Sequence, residues 1–224
     1  MIRWEQPGYV VAFTTRTGGV SEGVYESLNL TTGTGDDPTR VEENRRRVCD
    51  ALSLPYDRLS FNRQVHSPTV HRAGRRGEHG DGLWSDEPQL PMLAFSADCL
   101  PIAIARTGGE RRLALVHAGW RGLSKGVVDE AVSLVGGTTV AMIGPAIGPC
   151  CYEVGEEVSS LFDEDLTMDR RLDLWTAAER ALRRAGVAAV ERVDLCTRCN
   201  PQLFFSHRRS GRQRGVQGVI GAVA

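Results

Sequence analysis

Three side chains that commonly bind transition metals stand at the ends of short apolar segments. Cys99 closely follows one such run, His117 ends another, and His66 lies upstream in the segment Asn-Arg-Gln-Val-His. Zinc readily takes cysteine thiolate and neutral imidazole, and a catalytic zinc keeps three protein ligands and one open position. The wide spacing fits no compact zinc finger, but it is usual where the ends of separate strands converge. Our hypothesis is one zinc held by His66, Cys99 and His117; the alternative is that Cys99, a lone cysteine after a strand, is a small core residue.

The residues beside these ligands could serve chemistry as well. Asp98 could orient a histidine or handle protons, although an ordinary turn aspartate is the alternative. Trp120 and Arg121 follow His117 between glycines, where a ring could stack on a base and a guanidinium could bind phosphate. Trp120 could equally belong to the core.

A glycine turn near the start of the chain is a second candidate for anion binding. Arg16 stands beside Gly18 and Gly19, after a strand-like run. Consecutive glycines let backbone N–H groups face a ligand. An ordinary hairpin turn explains the same composition.

The remaining cysteines carry a weaker signal. Cys196 and Cys199 are spaced to begin a structural zinc site, but a closed site needs four ligands. Cys150 and Cys151 are adjacent, and we expect that the two do not readily face one metal. No thioredoxin-like context surrounds the Cys-x-x-Cys pair. We interpret these four, and Cys49, as packing or unspecific thiols.

Composition limits the class of protein. The chain has 224 residues, of which 41% are hydrophobic, enough for one sizeable core. The net charge of −1 favours neither nucleic acid nor an anionic membrane as partner. The first residues contain no apolar segment typical of a signal peptide, and no apolar run is long enough to span a membrane. We expect a soluble, cytoplasmic protein whose cysteines are thiols and ligands.

The hydrophobic pattern predicts strands mixed with helices in an α+β sandwich of a single domain. The predicted strands cover residues 9–15, 92–96, 102–105, 113–117, 138–143, 190–195 and 218–223, and the predicted helices cover 38–52, 124–135, 154–162 and 172–185. The charged, glycine-rich segment 74–82 is predicted to be a mobile loop. Arg45, Arg46 and Arg47 are predicted to form a solvated helix face.

Eight motifs, taken together and in this order, closely resemble the YfiH/laccase-domain family, once called multicopper polyphenol oxidases and now viewed as purine nucleoside phosphorylases. The resemblance runs from about residue 9 to residue 213. The motifs are Thr-Thr-Arg-Thr-Gly-Gly-Val-Ser (14–21), Asn-Leu (29–30), Gln-Val-His (64–66), Ala-Asp-Cys-Leu-Pro (97–101), His-Ala-Gly-Trp-Arg-Gly (117–122), Ile-Gly-Pro (143–145), Cys-Tyr-Glu-Val (151–154) and Phe-Ser-His-Arg-Arg (205–209).

The resemblance implies two packed mixed β-sheets flanked by helices, as one catalytic domain over residues 1–224. It implies zinc bound by His66, Cys99 and His117. It also implies phosphorolysis of adenosine, inosine and methylthioadenosine, with some hydrolytic deamination of adenosine. In that chemistry Arg16 and Arg208 or Arg209 are candidates for phosphate, while Gln64 or Asp98 could touch the purine or relay a proton. The expected partners are these small molecules alone, bound by a monomer or a homodimer.

Three other functions use the same sequence features. Cys99 could be the nucleophile and His117 the base of a cysteine hydrolase. Copper could occupy the pocket as an adventitious or alternative metal, as in a phenol oxidase, although five histidines are too few for a multicopper cluster. A partner-binding protein without enzymatic activity would use the Arg45–Arg47 face.

Overall fold

Strands that are apolar on both faces form the middle of the structure, a computed structural model that describes all 224 residues. In one central strand, Ala103 and Ala105 pack between two sheets, while Ile102 and Ile104 pack against helices. A strand buried on both faces reads as a continuous apolar run, which is why these segments show little alternation. The predicted sandwich of two mixed sheets with helices outside is confirmed.

Fourteen strands build two six-stranded sheets and one short hairpin. The first sheet has the order β1-β2-β14-β7-β3-β5, the second has the order β13-β10-β8-β9-β6-β4, and β11 pairs with β12. The strands are β1 (Ile2–Trp4), β2 (Tyr9–Phe13), β3 (Ser60–Arg63), β4 (Val70–Arg72), β5 (Arg76–His79), β6 (Gly82–Ser85), β7 (Met92–Ser96), β8 (Leu100–Arg106), β9 (Leu113–Ala118), β10 (Thr139–Ile143), β11 (Thr167–Met168), β12 (Arg171–Leu172), β13 (Ala189–Arg192) and β14 (Gln217–Val223).

Six α-helices flank the sheets: α1 (Pro38–Ala51), α2 (Trp120–Ser124), α3 (Val127–Val135), α4 (Glu156–Ser159), α5 (Leu174–Arg184) and α6 (His207–Ser210). Short 3₁₀ turns cover Gly23–Tyr25, Tyr56–Arg58 and Glu164–Leu166. The α1 helix starts where Asp37 accepts the N–H of Thr39 and Pro38 takes the first position. None of the helices combines the length and apolarity needed to cross a lipid bilayer.

Two predicted segments differ from the observed elements. The predicted helix 124–135 begins later, at Val127, because Gly126 adopts a left-handed backbone with φ of 86° between α3 and the separate helix α2, which ends at Ser124. The predicted loop 74–82 contains the short strand β5 and leads directly into β6. Its glycines and charges suggested solvent exposure, but pairing of β5 with β3 orders it.

The arginine triplet on α1 is not a uniformly solvated face. Arg45 donates a hydrogen bond to the carbonyl of Leu30 at 2.7 Å and lies over the rings of Phe61 and Phe95. Burial lowers its pKa to about 10. Arg46 and Arg47 each pair with a glutamate one turn earlier on the helix. The triplet therefore has local partners, which leaves little free charge for binding another protein.

Candidate functional site

The three predicted ligands converge at one end of the two sheets. Cys99 lies in the connection between β7 and β8, and His117 lies on β9, whose register pairs it with Pro101. His66 lies in the loop that follows β3, in the other sheet. The antiparallel pairing of β8 with β9 therefore brings the cysteine beside one histidine, and the packing of the sheets brings the second histidine to both.

The distances within this cluster fit a single metal ion. The ligand atoms of His66, Cys99 and His117 lie within 4.8 Å of one another, and the Cys99 Sγ is 3.8 Å from the His66 Nε2. The two imidazole rings meet edge to face, with centroids 4.9 Å apart. Tetrahedral zinc with ordinary bond lengths separates sulfur and nitrogen ligands by about 3.6 Å. The residues therefore fit the group that the resemblance implies.

Asp81 fixes the positions of both histidines. Its Oδ1 accepts a hydrogen bond from the His117 Nδ1 at 2.8 Å, which leaves the Nε2 of that ring for a metal. The same carboxylate accepts the N–H groups of Val65, His66 and Ser67. These bonds hold His66 in the left-handed region, with φ of 59°, a conformation that costs energy for a non-glycine residue. A single buried carboxylate thus orients one ligand and shapes the loop of the other.

The charges in the cluster favour a cation. Burial by itself raises the pKa of the Cys99 thiol, but the nearby His117 and His66 rings lower it to about 6. Burial opposes protonation of His117, but the Cys99 thiolate and the Asp81 carboxylate raise its pKa to about 9. Although burial favours its neutral form, His117 and the backbone N–H groups hold the pKa of Asp81 well below its usual range. The anions that stabilise a proton on His117 would stabilise a metal there too.

A glycine completes the wall behind the ligands. A Cβ atom on Gly119 would lie 2.8 Å from the His66 Cδ2 and 2.9 Å from the Cys99 Sγ. Contacts this short require the ligands to move. The backbone at residue 119 therefore approaches the ligand set closely, which only glycine allows.

The cluster opens into a cavity of about 730 Å³, within the usual size range of small-molecule sites. Aromatic side chains line part of it, and burial raises the pKa of Tyr152, which keeps its hydroxyl protonated. The aromatic residues are Phe95, Trp120 and Tyr152, and the cationic side chains are Arg63, Arg121, Arg208 and Arg214. The cavity thus offers flat apolar walls for a ring and guanidinium groups for an anion.

The predicted binding residues differ in where they lie. Arg121 and Arg208 line the cavity as expected, stacked over Trp120 and Tyr152 respectively. Gln64 also lines the cavity, but its amide exchanges two hydrogen bonds with the backbone of Phe95. It therefore anchors the loop before His66 to the neighbouring strand, and its polar atoms are already engaged.

Two of the predictions about arginines at the anion site are not supported by their placement. Arg16 is not part of the cavity wall; its guanidinium donates to the carbonyls of Glu26 and Pro201 and stacks on Phe205. Arg209 likewise donates to the carbonyls of Thr197 and Phe204. Backbone carbonyls accept three hydrogen bonds from each guanidinium, so both arginines tie loops together.

Asp98 lines the cavity but does not orient a histidine, and its part in touching the purine or relaying a proton stays a prediction. Its oxygens accept hydrogen bonds from the Thr197 hydroxyl at 2.6 Å and the Arg208 N–H at 2.7 Å, and neither bond involves a histidine. The carboxylate that orients a histidine is Asp81. Sequence reasoning missed it because it lies in the charged, glycine-rich segment that predicted a mobile loop. Asp98 instead holds the segment that carries Arg208 against the cavity.

The sequence is similar to that of proteins named purine nucleoside phosphorylase. One from Pseudomonas aeruginosa is 38% identical over 226 residues, covering 93% of this chain and 92% of that protein. The protein named purine nucleoside phosphorylase YfiH from Escherichia coli is 35% identical over 227 residues, covering 92% of this chain and 91% of that protein.

Solved structures share the fold. The crystal structure of YlmD from Geobacillus stearothermophilus has a TM-score of 0.89 and 32% identity, and the match covers 97% of this chain and 93% of that one. A Neisseria meningitidis protein has a TM-score of 0.89 and 31% identity, with 97% of this chain and 95% of that one covered. Residues 10–223 match the family described as multi-copper polyphenol oxidoreductase laccase. With this match and these relatives, the chain belongs to that family, the YfiH proteins.

Proposed function

We propose that the protein is a zinc-dependent purine nucleoside phosphorylase that also deaminates adenosine. The observation that carries the proposal is the convergence of His66, Cys99 and His117 on a cavity lined by arginine and aromatic side chains. The names of the similar proteins from P. aeruginosa and E. coli support the same activity. The proposed substrates are adenosine, inosine and methylthioadenosine, each with phosphate.

The proposed zinc ion would assist two reactions. A zinc ion held by His66, Cys99 and His117 would supply a Lewis acid at the base of the cavity. In phosphorolysis a phosphate oxygen forms a bond to C1′ of the ribose, the bond from C1′ to N9 breaks, and the purine leaves with the bonding electrons and takes up a proton. In deamination water adds at C6 and ammonia leaves.

The cavity residues bind and orient these substrates. Guanidinium groups bind phosphate in two-point fashion, and Arg121 and Arg208 are each placed by stacking on an aromatic ring. Arg208 is further held by its bond to the Glu153 carbonyl at 2.7 Å. The Trp120 and Tyr152 rings offer faces for the purine. The neutral Tyr152 hydroxyl can donate a hydrogen bond to the sugar or the base.

Product analysis tests the proposal. The protein is incubated with adenosine and phosphate, and the products are separated by chromatography. Adenine with ribose 1-phosphate supports phosphorolysis, and inosine formed without phosphate supports deamination. No change in any purine nucleoside would refute the proposed function. His71→Ala is a matched control, because that imidazole contacts the His79 carbonyl outside the cavity.

A cysteine hydrolase is the second candidate, favoured by the lowered pKa of Cys99 beside His117. In the phosphorylase the Cys99 sulfur would bind zinc, whereas in the hydrolase it would attack the substrate. A native protein that holds one more zinc ion per chain than Cys99→Ser supports a metal ligand. Stoichiometric acylation of Cys99 in a metal-free, active protein would support the hydrolase instead.

The multicopper description of the family does not match the arrangement of histidines. Only His66 and His117 converge with Cys99; His207 lines the cavity without joining that cluster, and His71 and His79 lie outside the cavity. A single copper ion could replace zinc in the three-ligand set. Reconstituting the chelated protein with either metal and assaying both phosphorolysis and phenol oxidation distinguishes the two.

The proposal treats residues 1–224 as one catalytic domain that acts in the cytoplasm. All six cysteines are free thiols, as is usual in a reducing compartment. We expect a monomer or a homodimer whose ligands are purine nucleosides and phosphate, with no nucleic acid or membrane partner.

A further inference from the structure

A second group of metal-binding side chains lies outside the cavity, on two loops that the sheet brings together. The strands β10 and β13 are parallel neighbours, so the loops that follow them leave the same edge of the sheet. Ala146 in the first loop bridges to Cys196 in the second, and the Thr197 N–H donates to the Ala146 carbonyl at 3.0 Å. Cys150 and Cys151 lie farther along the first loop.

The four sulfur atoms of these loops converge. The Sγ atoms of Cys150, Cys151, Cys196 and Cys199 all lie within 4.8 Å of one another. The Cys199 Sγ is 3.3 Å from that of Cys151 and 3.7 Å from that of Cys150. The expectation that adjacent cysteines would not face one point was therefore wrong. A turn, closed by the Cys151 N–H on the Gly148 carbonyl, brings both sulfurs to the same side.

These separations match a metal site better than a disulfide. Zinc bound by four thiolates at about 2.3 Å in a tetrahedron separates the sulfurs by about 3.8 Å. A disulfide needs about 2.05 Å between two sulfurs. The sulfur separations of 3.3 and 3.7 Å, with all four atoms within 4.8 Å, lie near the first value and well beyond the second.

The surroundings suit a charged sulfur cluster at the surface. The buried Cys196 sulfur accepts the Gly148 N–H at 3.3 Å. Cys150 and Cys199 are exposed, which gives an ion a path to the cluster. Arg209 binds the carbonyls of Thr197 and Arg198, so a guanidinium braces the backbone between the two cysteines of the Cys-x-x-Cys turn.

We propose that Cys150, Cys151, Cys196 and Cys199 bind one zinc ion in a closed, structural site. This site is separate from the His66, Cys99 and His117 set and does not depend on the function proposed above.

The bound ion would join a loop of the cavity wall to a loop that supports a cavity residue. Ile147 and Tyr152 line the cavity from the first loop. Thr197, in the second loop, donates to Asp98 at 2.6 Å, directly before Cys99 in the chain. Four metal–sulfur bonds would therefore fix the distance between these two loops. The site is a structural one, because all four positions of the ion are filled by protein.

Metal analysis of matched variants tests the proposal. The full chain is purified anaerobically with a phosphine reductant and without chelators, supplied with zinc, desalted and analysed for bound metal. We expect two zinc ions per chain in the native protein, one in the double variant Cys150→Ser with Cys199→Ser, and one in Cys99→Ser. Cys49→Ala removes a buried thiol outside both clusters and should keep two. Equal zinc in the native protein and the double variant would overturn the proposal.

The two sites can fail independently. If the three-ligand set holds no zinc, the native protein should contain one ion and the double variant none, which still supports the four-cysteine site. A cobalt-loaded Cys99→Ser protein should show strong thiolate-to-cobalt charge-transfer absorption. A triple variant that combines Cys99→Ser with Cys150→Ser and Cys199→Ser should lack it. Absence of that absorption in Cys99→Ser would count against the site.

A measurement on the native protein tests the proposal even if the variants do not fold. Iodoacetamide should leave Cys150 and Cys199 unmodified while zinc is bound, despite their exposure, and should alkylate both after chelation, as read by mass spectrometry. Rapid alkylation with zinc present would refute the proposal. A disulfide between Cys151 and Cys199 in protein prepared under reducing conditions would refute it too.

Discussion

The two clusters of metal-binding side chains differ in the elements that carry the ligands and in the number of ligands they offer. In the cavity, the ligands come from a strand, a strand connection and a loop held by one carboxylate, and three protein atoms face an open space. At the surface, four sulfurs on two loops lie within 4.8 Å of one another and offer one ion four ligands. A site with an open position can act on a substrate, whereas a closed site can only hold the chain together. Four predictions sharpen or break this contrast, in order of their expected effect on activity.

Removal of a ligand in the cavity should have the largest effect. A Lewis acid contributes several kcal/mol of transition-state stabilisation. We expect His117→Ala to lower kcat/KM for phosphorolysis on the order of 10³-fold, which corresponds to about 4 kcal/mol. Steady-state kinetics with adenosine and phosphate measures this, with His71→Ala as the control. Full activity in His117→Ala would mean that the cavity cluster takes no part in the reaction.

The next largest effect should come from Asp81→Asn. The amide oxygen can still accept the His117 N–H but carries no charge, and the NH2 group that replaces the other oxygen cannot accept the N–H groups of Val65 and Ser67. Both histidines are therefore held less firmly. Loss of a residue that hydrogen-bonds to a metal ligand typically lowers metal affinity or activity by a factor of about 10–100. We expect a loss in that range. Competition with a chromogenic chelator measures zinc affinity.

Asp98→Asn is the matched comparison, because that carboxylate contacts Thr197 and Arg208 and no histidine. It should leave zinc affinity unchanged and raise the KM for phosphate through displacement of Arg208. Equal losses of zinc affinity in both variants would contradict the assignment of Asp81.

A smaller effect is expected from Gly119→Ala. The new methyl group would lie under 3 Å from both His66 and Cys99, so the ligands must separate. Overpacking of this kind costs about 1–3 kcal/mol, and from the lower end of that range we expect zinc affinity to fall by about 5–10-fold. Gly108→Ala is the control, since a Cβ there meets no atom within 4 Å. Isothermal titration with zinc compares the two; unchanged affinity in Gly119→Ala would mean that the backbone does not confine the ligands.

The smallest effect on turnover should come from the surface cluster. Loss of an ion present at about 100 times its Kd removes about 2.7 kcal/mol of stability. For a chain of this size each kcal/mol shifts Tm by about 2–4 °C. We expect Cys150→Ser with Cys199→Ser to lower Tm by about 5–10 °C and kcat less than tenfold, as measured by calorimetry and kinetics. A Tm independent of both zinc and the substitutions would break the contrast.

The sequence allowed prediction of the apolar strands and the three cavity residues, because runs such as 113–117 show their burial directly. It did not reveal Asp81, because the residue pairs with His117 across 36 positions and lies in a segment whose composition resembles a surface loop. The four cysteines needed one further fact, the parallel pairing of β10 with β13. Neither strand's own residues specify its neighbour, so the convergence of their loops was not predictable.

The position of β14 has a consequence for how the protein is made. This last strand lies inside its sheet, between β2 and β7, where it pairs with Phe13 on one side and Ala94 on the other. The second sheet, by contrast, is complete once β13 has left the ribosome. Until residues 217–223 emerge, β2 and β7 present unpaired edges, which are prone to association with other chains. Ribosomes stalled before residue 217 should therefore display a chain that recruits chaperones, and emergence of β14 should end that recruitment.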